Sequence, residues 1–419
     1  MILKKIEEKE YKEYALKNEY ISIYQLPEWG KLKEKTGWIS HTLGLFDEKK
    51  LMGVTLLLEK KTPIRMSLFY APRGFLLDID NYDLLKEFTK LISEYVKKNH
   101  GFMLKVDPNK IYALYDKEGE NKKVIAYETF QHFCKLKYKH LGFTKNFESL
   151  QPRFLCRIPL EDTFEKTLST FQKSTRKNIE KTNKMGVRVR KIDETEIDLF
   201  VSLLEQTGHL KNFIVRPASY YKRMYELMKE NITLYITYID TNLYYTHINN
   251  EIKRLEKEKE EIDKKSKAFH VGNKLLTAKK QNEEQRIRLE KELITAQKMR
   301  SSNEKINIGA LMSIFIGEEG ITFMSGTTNQ YKSFNPKYAF YSEHIKECIK
   351  EGKRYCNFYG ISGDINPNNP YYSIYEIKKG FNPEIVELMG EFDLITNRIG
   401  YYLYHIALKG YKIIKKIRK

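Results

Sequence analysis

Apolar positions in the first third of the chain fall into short runs of strand length. The runs are LMGVTLLLEK (Leu51–Lys60), MSLFYAP (Met66–Pro72) and FMLKVDP (Phe102–Pro108). Between the last two, Leu84, Leu85, Phe88, Leu91, Ile92 and Tyr95 recur mainly at steps of three and four, which predicts a helix with one apolar face. A second unit of the same grammar starts near Gln151. There FLCRIPL (Phe154–Leu160) and VRVRKI (Val187–Ile192) read as strands, with a short helical approach and a basic helix between them.

From His247 to Arg300 the pattern changes. The segment is almost wholly charged, with thin apolar punctuation and no Pro. Ile248, Ile252, Leu255 and Ile262 form a sparse heptad seam, and Leu275, Ala278, Leu289, Leu293 and Ala296 share roughly one face of a second run. The break KAFHVGN carries Gly272 and Asn273, which end a helix and reverse the chain. Two helices of roughly 22 to 26 residues would make an antiparallel, coiled-coil hairpin about 35 Å long. Such an arm serves dimerisation or spacing, or it touches RNA, and the sequence leaves both readings open. NIGALMSIFIG and GITFMSG then resume the strand pattern, followed by a helix from Lys337 to Lys350. The arm is therefore an insertion. The expected domains are 1–150, with the tail 385–419 packing on it, then 151–246 together with 305–384, and the arm 247–304.

A chain of 419 residues exceeds what one core usually supports. A hydrophobic fraction of 41%, with 30 Tyr and 22 Phe against 11 Pro, excludes a disordered protein. The net charge of +19 fits Lys-rich solubility, or a polyanionic partner such as tRNA, or an anionic membrane face. The four Cys form no CxxC, and neither they nor the nine His are read as standing at metal-ligand spacing. Reduced, packed thiols and no metal are expected. The start, MILKKIEEKEYKEY, lacks the apolar core of a signal peptide, and no run approaches the ~20 apolar residues of a membrane span. The expected location is the cytoplasm.

The sequence contains no HExxH, GxSxG or GxxxxGK[ST], and no [RQ]xxGx[GA] turn to grip the pyrophosphate of coenzyme A. No cofactor is expected. Four constellations remain. YQLPEWGKLKEKTGW sets Lys31, Lys33 and Lys35 near Trp29. FYAPRG holds Tyr70 and Arg73, where an Arg binds phosphate or caps a turn. FQKSTRKNIEK supplies Arg176 and Lys177, while Arg216 and Tyr220 of RPASYYKR lie one helical turn apart, so that guanidinium and phenol can face one anion. The last is YCNFYGISGD followed by EIKKGFNPEI, with Gly360, Gly363, Lys378 and Lys379.

Taken in this order, these segments resemble the Fem/MurM family of peptidoglycan aminoacyltransferases, bacterial enzymes that build interpeptide bridges from aminoacyl-tRNA. The likeness is closest in RYCNFYGISGD and IKKGFNPEIVELMGEFD. It extends to FYAPRG, the WGKLK helix, TRKNI, RPASYY and the charged hairpin, which is essentially the whole chain. The resemblance implies two acetyltransferase-like α/β domains with a helical arm in the second. It implies that Lys33, Arg216 and Tyr220 hold the phosphates of a wall precursor, with Tyr70 and Arg73 as further substrate contacts. Arg176 and Lys177 would meet tRNA, and Lys378 would act at the acyl-transfer site. The family's Phe before that Lys is Ile377 here, which removes a stacking ring.

The implied reaction moves Gly, Ala or Ser from aminoacyl-tRNA to an amine on the stem or bridge peptide of lipid II or a UDP-linked precursor. An ester meeting an amine is downhill, so alignment and charge stabilisation suffice. Lys378 would stabilise the oxyanion or the departing ribose oxygen. Two other classes stay open: an acyl-CoA N-acetyltransferase with a helical insertion, and a non-catalytic tRNA-binding scaffold. The tail LYHIALKGYKIIKKIRK mixes aliphatic and cationic residues at helical spacing. It reads either as a peripheral contact with the inner membrane leaflet or as a plain solvated helix.

Overall fold

The apolar runs pair into two large mixed sheets in a computed structural model of the protein. It describes residues 1–63, 65–211, 215–268 and 272–417, side chains excepted at 209–211, 267–268 and 411–417. The chain opens with β1 (Ile2–Lys5), α1 (Glu8–Ala15), α2 (Pro27–Glu34), β2 (Ile39–Asp47), β3 (Lys50–Lys61), β4 (Ser67–Ala71) and β5 (Leu76–Leu77). It continues through α3 (Tyr82–Lys98), β6 (Gly101–Val106), β7 (Ile111–Tyr115), β8 (Lys123–Val124), α4 (Tyr127–Lys135) and β9 (Lys139–His140). Next come β10 (Phe154–Pro159), α5 (Phe164–Ser169), α6 (Lys173–Lys184), β11 (Val187–Ile192), α7 (Ile197–Lys211), α8 (Ala218–Met228) and β12 (Ile232–Asp240). The arm is α9 (Thr241–Ala268) and α10 (Asn273–Ser302). The chain closes with β13 (Lys305–Ile316), β14 (Glu319–Thr327), α11 (Pro336–Lys350), β15 (Tyr355–Ile361), α12 (Tyr372–Lys379), β16 (Glu384–Leu388), β17 (Phe392–Ile395) and α13 (Arg398–Ile417).

The two lobes follow one plan. The first sheet runs β1-β2-β3-β4-β6-β17-β9, with β5 beside β3. The second runs β11-β12-β13-β14-β15-β10-β16-β7-β8. Each holds a single parallel pair among antiparallel neighbours, β4 with β6 and β14 with β15. A parallel pair needs a crossover, and α3 and α11 supply them. The predicted apolar face of α3 is buried at Leu84, Leu85, Phe88 and Ile92. On α11, Phe340, Tyr341 and Ile345 are buried in the same way.

The sheets divide the chain differently from the expected boundaries at 150 and 385. Strands β7 and β8, from the N-terminal segment, hydrogen-bond into the second sheet, as does β16, while β17 returns to the first. Short apolar strands complete the edge of either sheet equally well, and alternation alone does not say which. The exchange interlocks the lobes.

Arm helices α9 and α10 pack side by side. Asp263 pairs with Lys279 at 2.7 Å, and Asn282 donates to the Leu255 carbonyl at 3.0 Å, so numbers fall on one helix as they rise on the other. Ile248, Ile252, Leu255 and Ile262, the expected seam, are buried. The first helix begins at Thr241 rather than His247, because Tyr244 already packs with Ile248 and Phe334 in the root of the arm. There the Thr241 hydroxyl donates to the Asn303 carbonyl at 2.7 Å. Of the expected turn, Phe269–Val271 lie outside the described residues.

Candidate active site between the lobes

Pro27 opens α2, where a missing N–H costs nothing, and Trp29 and Leu32 anchor the helix in the first core. Lys33 is left at the edge of that buried face. Its Nζ stands 4.5 Å above the Trp29 ring and 3.3 Å from the hydroxyl of Tyr220, in the first turn of α8 across the seam. Arg216 precedes α8 and is exposed. Burial, with the Arg216 charge next, pushes the Lys33 ammonium down to about 8. Burial raises the Tyr220 phenol to about 12, against the pull of Arg216. Lys33 has no carboxylate partner among the described residues. A half-buried ammonium, a guanidinium and a phenol without a counter-ion make a site for an anion. The structure thus sets Lys33 of the first lobe beside the Arg216–Tyr220 pair of the second.

An aromatic path leads inward from this point. Tyr24 meets the Trp29 ring edge-on at 4.6 Å, and its hydroxyl lies 2.7 Å from that of Tyr359 in the second lobe. Both tyrosines line a cavity of about 320 Å³ between the lobes, together with Arg73, Arg157, Glu319 and Asn357. Arg73 and Tyr359 adopt left-handed backbone conformations at φ 56° and 62°. Such positions cost about 1–3 kcal/mol unless the surroundings hold them. Here Asp107 accepts from the Arg73 backbone N–H at 2.9 Å, and Asn357 accepts from that of Tyr359 at 2.8 Å.

The Arg73 side chain is buried. It donates to the Pro152 carbonyl at 2.7 Å and lies 3.5 Å from Asp107, so its charge is engaged within the chain. Tyr70 is buried beside the same carboxylate, and burial raises its phenol. Burial likewise pushes Asp107 up to about 6, with Arg73 pulling the other way. Arg73 thus lines the cavity with its charge already engaged, while Tyr70, buried beside Asp107, does not line it. Sequence reading missed Asp107 and the Tyr24–Tyr359 pair. The only trace was a carboxylate at the end of an apolar run, before Pro108.

Lys378 projects from α12 into the second core and is 6% exposed. Burial lowers its ammonium to about 8, with nearby Cys156 opposing and Lys337 adding. Its Nζ donates to the carbonyl of Gly360, next to cavity-lining Tyr359, at 2.9 Å. An ammonium has three donors, and this is the one hydrogen bond it makes among the described residues. Lys378 itself does not line the cavity. Ile377 packs against the second core. Lys379 lies at the surface, 4.0 Å from Glu118.

The turn after Lys378 docks on α6. A Cβ at Gly380 would stand 2.1 Å from the Thr175 hydroxyl, so only glycine fits there. The Gln172 N–H donates to the Gly380 carbonyl at 3.0 Å. Arg176 and Lys177 follow on α6, exposed, and line a second hollow with Lys173, Arg188 and Lys346.

One expectation is corrected. His344 and Cys348, one turn apart on α11, approach to 3.5 Å, and Cys356 from β15 completes three donors lying within 4.8 Å of one another. The spacing of four was legible, but Cys356 joins only through the fold. The Ser313 hydroxyl, 2.9 Å from His344 Nδ1, satisfies the other ring nitrogen. All three donors are enclosed in the second core, away from the cavity.

Aminoacyltransferase FemA of Staphylococcus epidermidis is 28% identical to this chain over 421 residues, covering 98% of each. The lipid II:glycine glycyltransferase of the same species is 25% identical over 396 residues, covering 92% of this chain and 90% of that protein. The crystal structure of FemX has the same fold, with a TM-score of 0.77 at 22% identity over 96% of this chain and 99% of that one. The FemAB family profile matches residues 6–409, nearly the whole length, and the chain belongs to the FemAB family.

Proposed function

We propose that this protein transfers an amino acid from aminoacyl-tRNA to an amine on the peptide of a peptidoglycan precursor, lipid II or its nucleotide-linked counterpart. The observation that carries the reading is the Lys33–Tyr220 contact beside Arg216, an uncompensated cationic site shared by both lobes. A pyrophosphate-bearing acceptor supplies the missing anion. The relatives' names, aminoacyltransferase and lipid II:glycine glycyltransferase, support the same class of reaction.

In this reading the phosphates rest on Lys33, Arg216 and Tyr220, and the acceptor peptide runs past Tyr24 into the interlobe cavity. Its polar lining, Arg157, Glu319 and Asn357, suits a peptide. Lys378 sits one residue behind the cavity wall, with two N–H donors left for the oxygen that becomes negative as the amine attacks the ester. The attacking amine loses its proton and the ribose oxygen takes one up, so the reaction needs no redox partner. Arg176 and Lys177, on the helix that docks on the Lys378 turn, receive the phosphates of the tRNA end. The lobes act as two domains with the arm as an accessory to the second. No helix among the described residues is long and apolar enough to cross a membrane.

A panel of charged tRNAs offered with lipid II and with the nucleotide precursor tests the proposal. Product from at least one pair is expected, and no product from any pair overturns it.

A further inference from the structure

The C-terminal helix has two apolar faces, and the body of the protein covers one. On the covered face Tyr401 is buried, and the Tyr404 ring lies 5.2 Å from that of Phe102. Gly400 permits this approach, since a Cβ there would stand 2.7 Å from the Met66 methyl. On the other face Ile399, Tyr402, Leu403 and Ile406 are 73, 65, 49 and 67% exposed. They fall at i, i+3, i+4 and i+7, one unbroken stripe, and the sequence continues the same register through Ile413, Ile414 and Ile417. From Arg398 to the end there is no Asp or Glu; Lys412, Lys415 and Lys416 fall outside the stripe in that register, and Lys409 falls at its edge.

The root of the helix carries a second feature. Arg65, Lys97 and His100 surround a hollow closed by Thr396 and Asn397, which lead into α13. Lys61 and Lys98 line an adjoining hollow with Arg65. None of these Lys and Arg side chains has an ion-pair partner among the described residues. Glu59, the acid in the adjoining hollow, is committed to His41 at 2.9 Å and Ser67 at 2.6 Å.

An exposed aliphatic stripe with unpaired cations at its root matches one surface in particular, an anionic phospholipid bilayer. Acyl chains take the stripe, and headgroup phosphates take the cations. A second copy of this chain fits less well, because pairing two such helices sets like charges against each other. We propose that α13 lies in the interface of an anionic bilayer, with Ile399, Tyr402, Leu403 and Ile406 among the acyl chains and Arg65 and Lys97 on phosphates. Lying flat, its 20 residues would span about 30 Å of membrane surface. The contact deepens the proposed function, which gives it a purpose, but its geometry stands on these residues alone.

Sedimentation of the full chain with vesicles decides the matter. The unaltered protein should pellet with phosphatidylglycerol–phosphatidylcholine vesicles and stay in solution with phosphatidylcholine alone. Replacing Tyr402, Leu403 and Ile406 by Ser should cut the partition coefficient by roughly tenfold or more. A second variant, Arg65→Glu with Lys97→Glu, should weaken binding to anionic vesicles as well. All five side chains are exposed, so circular dichroism should be unchanged. Transfer to the water-soluble nucleotide precursor should stay at the unaltered level in the triple variant. The inference is overturned if the triple variant pellets like the unaltered protein, or if the unaltered protein never pellets. A dimer that the triple variant splits, without vesicle binding by the unaltered chain, would assign the stripe to self-association instead. Failure of the proposed function would show as no transfer to either precursor, and failure of this inference in the vesicle assay.

Discussion

Lys33 of the first lobe and Tyr220 of the second stand 3.3 Å apart, Nζ to phenol oxygen, although 187 residues separate them in the chain. The contact closes the seam at the point where Arg216 adds a second cation. Removing either charge should therefore act on acceptor binding. Lys33→Ala and Arg216→Ala should each raise the acceptor KM by roughly 10- to 100-fold, the worth of a charge-assisted hydrogen bond. Turnover at saturating acceptor should fall less. Steady-state kinetics with acceptor as the varied substrate checks both.

The lowered Lys33 value gives a pH signature. Held at about 8 chiefly by burial, this ammonium is charged below that pH and neutral above it. The kcat/KM for acceptor should accordingly fall as pH rises through 8. Lys33→Arg keeps its charge at any accessible pH and should remove that part of the alkaline limb. Lys378, also near 8, would still titrate in the variant, leaving a limb in kcat. A pH–rate profile of both proteins separates the two.

Lys378 and Lys379 are neighbours with different surroundings. The first is buried with its Nζ on the Gly360 carbonyl, and the second reaches out to Glu118. Lys378→Ala should lower turnover by about a hundredfold if the ammonium serves like one oxyanion donor. Lys379→Ala should be tolerated. Circular dichroism on each variant guards against loss of the fold, and the opposite pattern would move the transfer site off the Gly360 carbonyl.

Binding of tRNA should weaken steeply with salt, since cations that neutralise phosphates release counterions. The structure directs attention to α6 rather than to the arm. Three arginines of the arm are spent on their own helices, Arg254 with Glu251, Arg286 with Glu283 and Glu290, and Arg288 with Glu292. Arg176 and Lys177 have no such partners among the described residues. Reversing both to Glu should reduce the slope of log affinity against log salt by about 0.7–0.9 for each phosphate that is no longer neutralised. Equivalent reversals on the arm should change it less. Fluorescence anisotropy with labelled tRNA at several salt concentrations measures the slope.

Much of the architecture was legible because it depends on local periodicity. The buried face of α3, the seam from Ile248 to Ile262 and the strands around Phe154 and Val187 follow from the spacing of apolar residues. Strand exchange did not, because β7, β16 and β17 differ in partner, not in pattern. At the site, spacing paired Arg216 with Tyr220 and the resemblance added Lys33, but the contact that joins them comes from the lobe-to-lobe packing of α2 and α8. Asp107 was invisible for a related reason. A carboxylate ending an apolar strand gains its perturbed character only from burial beside Arg73. The Pro–Arg–Gly corner left Arg73 open as a phosphate ligand or a turn cap, and it carries no sign that Asp107 and Pro152 already engage the side chain.

The most direct test of the central claim is a donor competition on each acceptor. The purified protein would receive lipid II or the nucleotide-linked precursor, in separate reactions, with an isotopically labelled aminoacyl-tRNA and an acyl-CoA together, and mass spectrometry would identify what has been added. Aminoacyl transfer from tRNA should dominate and should fall sharply in Lys378→Ala. A precursor carrying the acyl group of the CoA ester, or both precursors left unmodified with every charged tRNA tried, would contradict the account.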